Sequence, residues 1–318
     1  FNRVLAAGTE TNYFTYGINS DGVSEFCINE DSLDVDFRVE SNGNANMLFV
    51  DGGNNRVGIG TNAPQVGTLH VHTATAGTVT ASPQADDLVV ESNTEAGITI
   101  LSPDDQTARI RFSSPSTNTD VGGATIFYRQ NINTMKIGTS VSGGVLRLTS
   151  GADVDALTIA ADGEVTKPKQ PAFQVALNAN QTNMPIATTK IKFNTERFDV
   201  GSNFTPSTGN GQGGDSNNLI GVFTAPVTGK YQLSFHLYLA DVDSASDLYE
   251  AQLVTTLRTY FIPFDPDFGQ DAQLWSIVFS NLVDMDEGDT ASLQLKINSG
   301  TAQADINAVS IFSGFLAC

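Results

Sequence analysis

Apolar and polar positions alternate along much of the chain. Tyr231, Leu233, Phe235, Leu237 and Leu239 are separated by Gln232, Ser234, His236 and Tyr238, and Leu293, Leu295 and Ile297 by Gln294 and Lys296. Successive side chains of a strand point to opposite faces, so each run predicts a strand with one greasy face and one wetter face. No long stretch places apolar residues at i, i+3, i+4 and i+7 behind a cap, so helices are not expected. Turn residues punctuate the runs: Asn42-Gly43, Asp51-Gly52-Gly53, Asp162-Gly163 and Glu287-Gly288-Asp289. The pattern predicts an all-β protein.

The pattern changes near residue 168. Residues 1–168 read as short, weakly apolar strands between Gly, Asn, Ser and Thr turns. Lys167-Pro168-Lys169-Gln170-Pro171 reads as a hinge, because proline lacks a ladder donor and stiffens the chain. The later strands are longer and richer in aromatic residues. The expected division is therefore 1–168 and 169–318.

The first part repeats itself irregularly. Phe37-Arg38-Val39-Glu40-Ser41 resembles Leu88-Val89-Val90-Glu91-Ser92 and Leu146-Arg147-Leu148-Thr149-Ser150. Leu48 and Val50 stand to Phe37 as Leu157 and Ile159 stand to Leu146, and Asn54-Asn55-Arg56-Val57 parallels Asp162-Gly163-Glu164-Val165. Each unit, two short strands and a turn, is too small to cover its own apolar face. Either neighbouring units stack, or identical chains pack around an axis; few large residues favour a thin three-chain shaft.

Composition narrows the class. With 16 Lys and Arg against 35 Asp and Glu, the net charge is −19, which argues against binding nucleic acid through its phosphates. No apolar run approaches the ~20 residues that span a bilayer, and the first residues do not read as a basic-then-apolar signal segment. The cysteines, Cys27 and Cys318, form no disulfide framework.

Two resemblances follow. Arg56-Val57-Gly58-Ile59-Gly60-Thr61-Asn62-Ala63-Pro64 with Leu69-His70-Val71 resembles a "VGIGT..P...LHV" segment of bacteriophage tail fibres and other trimeric fibre or adhesin proteins. Its glycines fit close backbone approach at an axis. Residues 171–318 resemble a C1q/TNF-type jelly roll. The resemblance rests on Pro171-Ala172-Phe173, on Phe193, Asp199 and Phe204, and on the run from Phe223 to Tyr231 closed by Phe235. Gly288-Asp289 before Leu293 and Leu295, and the final Ile311 to Leu316, complete it. Leu233 departs from the family's Phe, and a polar insertion from Thr208 to Asn218 reads as a surface loop. The resemblance implies a ten-stranded sandwich that assembles as a homotrimer with two identical chains.

The candidate chemistry is sparse. His70-Val71-His72 places both imidazoles on one side of a strand, where three chains could offer an axial transition-metal site, as in phage fibre needles; ordinary strand histidines are the plainer reading. Eleven acidic residues against Arg258 alone fall between Leu239 and Asp289. Asp241 and Asp243 among them are candidate calcium ligands, which the resemblance to C1q-like trimers implies because these often carry calcium near the apex, the alternative being a solvated acidic surface. Tyr260, Phe264, Asp265, Asp267 and Phe268 lie in a ring- and proline-rich segment that reads as too irregular for a strand. They are receptor-binding candidates, or else rings of the core or interface. Asn210 and Asp215 in the inserted loop are the other receptor candidates. No nucleophile elbow or Ser-His-Asp spacing appears, and His236 reads as structural.

The expectation is a non-enzymatic virion fibre: a trimeric β-rich stem (1–168) and a C1q-like head (169–318) that attaches to a host surface glycan or protein. Its N-terminal end would dock to a tail or capsid component, and it would neither enter a membrane nor bind nucleic acid. The alternatives are a secreted or surface bacterial C1q-like adhesin and a polysaccharide depolymerase carried on a fibre.

Overall fold

The computed structural model describes residues 2–4, 10–12, 14–18, 22–29, 32–65, 67–78, 80–113, 122–209 and 219–318. The chain divides into two compact units, Phe1–Ala108 with Arg129–Ile132, and Arg109–Tyr128 with Asn133–Cys318. Among the described residues the only helical element is a 3-10 turn at Gln130–Ile132, and the rest of the regular structure is strand, as the period-two pattern predicts.

Short antiparallel pairs come first: β1 (Asn2–Val4) with β2 (Glu10–Asn12), and β3 (Phe14–Ile18) with β4 (Ser24–Ile28). Next comes a sheet of β5 (Phe37–Val39), β6 (Leu48–Asp51), β7 (Arg56–Ile59), β8 (Leu69–His72) and β9 (Leu88–Glu91). It is antiparallel through β7 and parallel from β7 to β9. A third sheet holds β10 (Ala108–Ser113), β11 (Gly122–Arg129) and β12 (Thr134–Thr139). A fourth holds β13 (Leu146–Ser150), β14 (Val154–Ile159) and β15 (Val165–Thr166).

The sequence repeat has a structural counterpart. Phe37 pairs with Val50 and Val39 with Leu48; Leu146 pairs with Ile159 and Leu148 with Leu157. The third strand joins alike, Val57 on Val50 and Val165 on Ile159. Each full repeat is thus a three-stranded meander. Leu88–Glu91 departs from it, because β9 runs parallel to β8 instead of starting a hairpin. The glycines of the VGIGT segment serve the chain's own turn. A Cβ on Gly58 would stand 2.5 Å from the Thr61 carbonyl oxygen, and one on Gly60, at φ 85°, would collide with the His72 carbonyl.

The sandwich begins at Ala172. One sheet runs β18 (Thr195–Val200), β16 (Ala172–Ala176), β27 (Ile311–Leu316), β21 (Gly229–Val242) and β24 (Ala272–Met285), with β26 (Asp305–Ile306) beside β21. The facing sheet runs β19 (Phe204–Thr205), β20 (Val222–Thr224), β25 (Thr290–Ile297), β22 (Tyr249–Thr255) and β23 (Thr259–Phe264), with β17 (Thr188–Lys190) beside β25. Two five-strand paths give the ten strands expected of a jelly roll, and the two short strands are additional. β23 overturns the irregular reading of residues 260–264. It is a regular edge strand, and Pro263 is tolerated because one side of an edge needs no donor.

Between the sheets, Phe173 stacks on Phe223 at 4.5 Å and meets Phe312 edge-on at 5.0 Å. Thirty buried apolar side chains lie between Phe173 and Phe312, whereas Phe49 is the one such residue before them among the described residues. Full burial of a large apolar side chain contributes about 1.5–3 kcal/mol. The sandwich therefore carries its own core, and among the described residues the strands before it do not.

Candidate functional site

Alternation that fills the core on one side of β21 and β24 lays out a surface on the other. Tyr231, Leu233, Phe235, Leu237 and Leu239, with Ile277, Val283 and Met285, point inward. Gln232, Ser234, His236 and Tyr238 pair across to Leu282, Ser280, Val278 and Ser276, and Ala240 pairs with Leu274. Leu274, Val278 and Leu282 are 56%, 71% and 52% exposed, and Phe315 and Phe198 of the same sheet are open as well. The polar members of this face satisfy one another. Gln232 Nε2 donates to Ser280 Oγ at 2.8 Å, Ser234 and Ser280 hydroxyls meet at 2.7 Å, and His236 Nε2 lies 3.2 Å from Ser276 Oγ. The charged pair Lys230 and Asp284 stands at one end of the strands. A partner covering the centre would strand no carboxylate, Lys or Arg and few hydrogen-bonding groups.

Where the sandwich opens between β22, β23 and β24, four rings form a ladder. Tyr249 stacks on Phe264 and Phe264 on Trp275, each at 5.3 Å and 25°, and Phe268 leans on Trp275 at 4.9 Å and 31°. Tyr249 is buried, which pushes its phenol pKa up, and the Asp243 backbone N–H donates to its oxygen. Trp275 and Phe268 are 37% and 40% exposed.

The acidic residues beside the ladder have distinct tasks. Asp271 accepts the Ser244 N–H and hydroxyl and the Gln303 amide; the Ser244 N–H chiefly holds its carboxyl below the usual range. Asp243 is buried, and its carboxylate accepts the N–H groups of Ala245 and Thr301. It fixes a turn, whereas Asp241, at φ 51°, is exposed. Asp265 accepts the Asp267 N–H at 3.1 Å, and both side chains are exposed.

In the β5–β9 sheet, His70 and His72 share a face as the strand period requires, their rings 5.4 Å apart. His70 is buried inside its own chain, with Nε2 at 2.9 Å from the Glu91 carboxylate, and His72 Nε2 lies 3.3 Å from Thr75 Oγ1. Glu91 also accepts the Ala76 N–H, which with the two histidines lowers its pKa. These groups line a polar cavity of about 170 Å³ with Thr61 and Gln65. Among the described residues no group of three or more His, Cys, Asp or Glu is placed to hold a metal ion, and no helix is long and apolar enough to cross a membrane.

Of the receptor candidates, Phe264, Asp265, Asp267 and Phe268 come together around the ladder. Tyr260 packs instead against the core near Phe279, and Asn210 and Asp215 lie outside the described residues. Sequence reasoning missed Trp275, the central ring, and the uncharged sheet face. The available signal was the run Leu274, Ser276, Val278, Ser280, Leu282, which alternates hydroxyl and apolar groups beside a strand already known to be half polar.

Residues 172–317 match the family profile of the C1q domain. Solved structures similar to the chain include the globular domain of zebrafish complement 1qA, at 19% identity over 47% of this chain and 98% of that one, with a TM-score of 0.34. Murine APRIL at pH 8.5 is similar at 10% identity over 46% of this chain and 99% of that one, with a TM-score of 0.32. No curated protein matches.

Proposed function

We propose that this chain, whose residues 172–317 form a C1q domain, is a homotrimeric attachment fibre of a virus particle that acts by adhesion, not catalysis. The observation that carries the assembly is the contrast, among the described residues, between one buried apolar side chain before Phe173 and thirty from Phe173 onward. Strands with Ile59, Leu88, Ile110, Phe112, Met135, Leu148 and Val165 open to water need a cover, and two more copies supply it.

The sandwich supports the same partner. A chain of net charge −19 resists self-association unless the contact avoids carboxylates. The centre of the Leu274–Val278–Leu282 face holds hydroxyls, amides, apolar groups and the His236 ring, and no carboxylate, Lys or Arg. Residues 1–168 would then be the stem, docked at its N-terminal end to a tail or capsid component, and three sandwiches would present repeated weak sites to a host surface. The VGIGT segment, folded as β7 and its turn, supports the fibre reading. Excess purified chain is expected to block adsorption of particles carrying it to their host cells. Undiminished adsorption at saturating chain, or shortening of host polysaccharide by the chain, would overturn the adhesive reading.

A further inference from the structure

We infer that Trp275 and Phe268 form a stacking platform for a neutral pyranose sugar, a reading that rests on the attachment function and gives it a ligand class. Of the four rings in the ladder, Tyr249 and Phe264 are anchored and Trp275 and Phe268 are open to solvent on part of their surface. Tyr249 is buried, Phe264 packs against the core, and Trp275 lies at 25° to Phe264, so its face is set before any ligand arrives. Phe268 sits on a loop tied down at both ends. Asp265 holds the Asp267 N–H, the Phe268 N–H donates to the Pro266 carbonyl at 2.6 Å, and Asp271 is bonded to Ser244 and Gln303.

The groups around the rings suit a sugar. A pyranose offers a face of C–H bonds, which aromatic π-faces attract, and a rim of hydroxyls. Exposed Asp265 and Asp267, in the loop that carries Phe268, can accept hydroxyl protons. The Trp275 Nε1–H has no acceptor among the described residues and remains a donor. With Arg258 the sole basic residue against eleven acidic ones between Leu239 and Asp289, anionic ligands such as nucleotides or acidic glycans are repelled. Strand parity also separates the platform from the proposed interface. Trp275 shares the side of Ile277 and Phe279, opposite Leu274, Val278 and Leu282, so a copy seated on that face leaves the rings free.

Trp275 is the only tryptophan, so emission of the intact chain reports this site alone. The probes are cellotetraose, maltotetraose, mannotetraose and chitotetraose, with polygalacturonate as an anionic control. At least one neutral probe is expected to shift the emission and protect it from acrylamide, and polygalacturonate is not. Phe268→Ala should weaken that binding about tenfold, equivalent to about 1.4 kcal/mol, with circular dichroism and solution mass unchanged. Trp275→Phe should keep affinity within a few-fold by calorimetry, since it retains a ring. If no neutral probe acts while the chain still adsorbs to cells, the platform is wrong and the attachment reading stands. If neither occurs, both fall. Emission already shielded from acrylamide in the sugar-free assembly would show the rings covered by another copy and would also overturn the platform.

Discussion

Two neighbouring residues of β24 should respond in opposite ways. Ile277 points into the sandwich and is buried, while Val278 points out from the uncharged face. Ile277→Ala removes buried methyl groups and leaves a cavity, which costs about 2–5 kcal/mol of subunit stability. Val278→Asp removes nothing from the subunit core, so its cost to the isolated fold should stay within about 0.5 kcal/mol. In an assembly seated on this face, the second substitution loses about 1.5–3 kcal/mol of burial per contact. It also strands a carboxylate, which adds several kcal/mol. Three equivalent contacts multiply that penalty, enough to dissociate the assembly at micromolar concentration. Sedimentation velocity and urea unfolding, run on both variants of the sandwich alone (residues 169–318), which carries its own core and lacks the strands of the first part, separate the effects. Ile277→Ala should lower the urea midpoint, and Val278→Asp should lower the mass while the single chain keeps its sandwich spectrum. A Val278→Asp protein that stays assembled, or that unfolds outright, refutes the assignment of this face.

Gly314→Ala should cost about 1–3 kcal/mol, because its Cβ would meet Leu233 Cδ2 at 2.5 Å and Phe173 Cε1 at 2.8 Å; the urea midpoint should fall with the slope unchanged. Asp243→Ala should destabilise by about 1–3 kcal/mol in all, through the lost hydrogen bonds from the Ala245 and Thr301 N–H groups to a charged acceptor, and chelator should leave the wild-type melting temperature unmoved. A melt lowered by chelator would show that a cation, not the amides, satisfies this carboxylate. Asp51, Glu91 and Asp271 ionise more readily folded than unfolded, through hydrogen bonds from Asn54, Ala76 and Ser244. Their contribution is complete above the unfolded carboxyl pKa, near pH 4, and is lost as pH falls through the folded value. Thermal stability should hold from pH 7 to pH 5 and drop below about pH 4, with a shallower drop in Asp271→Asn.

The sandwich was legible because its signal is local. Tyr231 to Leu239 alternate without interruption, and every inward position proved to be core. The hairpin repeats were legible for the same reason, since Phe37 with Val50 and Leu146 with Ile159 are close in sequence. The edge strand β23 was not, because Pro263 reads as a breaker unless the strand is known to be an edge. Nor was the ring ladder, which gathers Tyr249, Phe264, Phe268 and Trp275 from two sheets and a loop, with Trp275 beside Leu274 in a place where alternation gives no cue. The His70–Glu91 contact was hidden likewise. It follows from the parallel pairing of β8 and β9, which aligns residues from distant parts of the chain.

The most direct measurement of the central claim is the solution mass of the intact chain by sedimentation equilibrium in dilute neutral buffer. Three copies wrapped around the uncovered strands predict a particle of about 101 kDa, three times the 33.7 kDa chain. A single species at 33.7 kDa with its full strand spectrum would contradict the account.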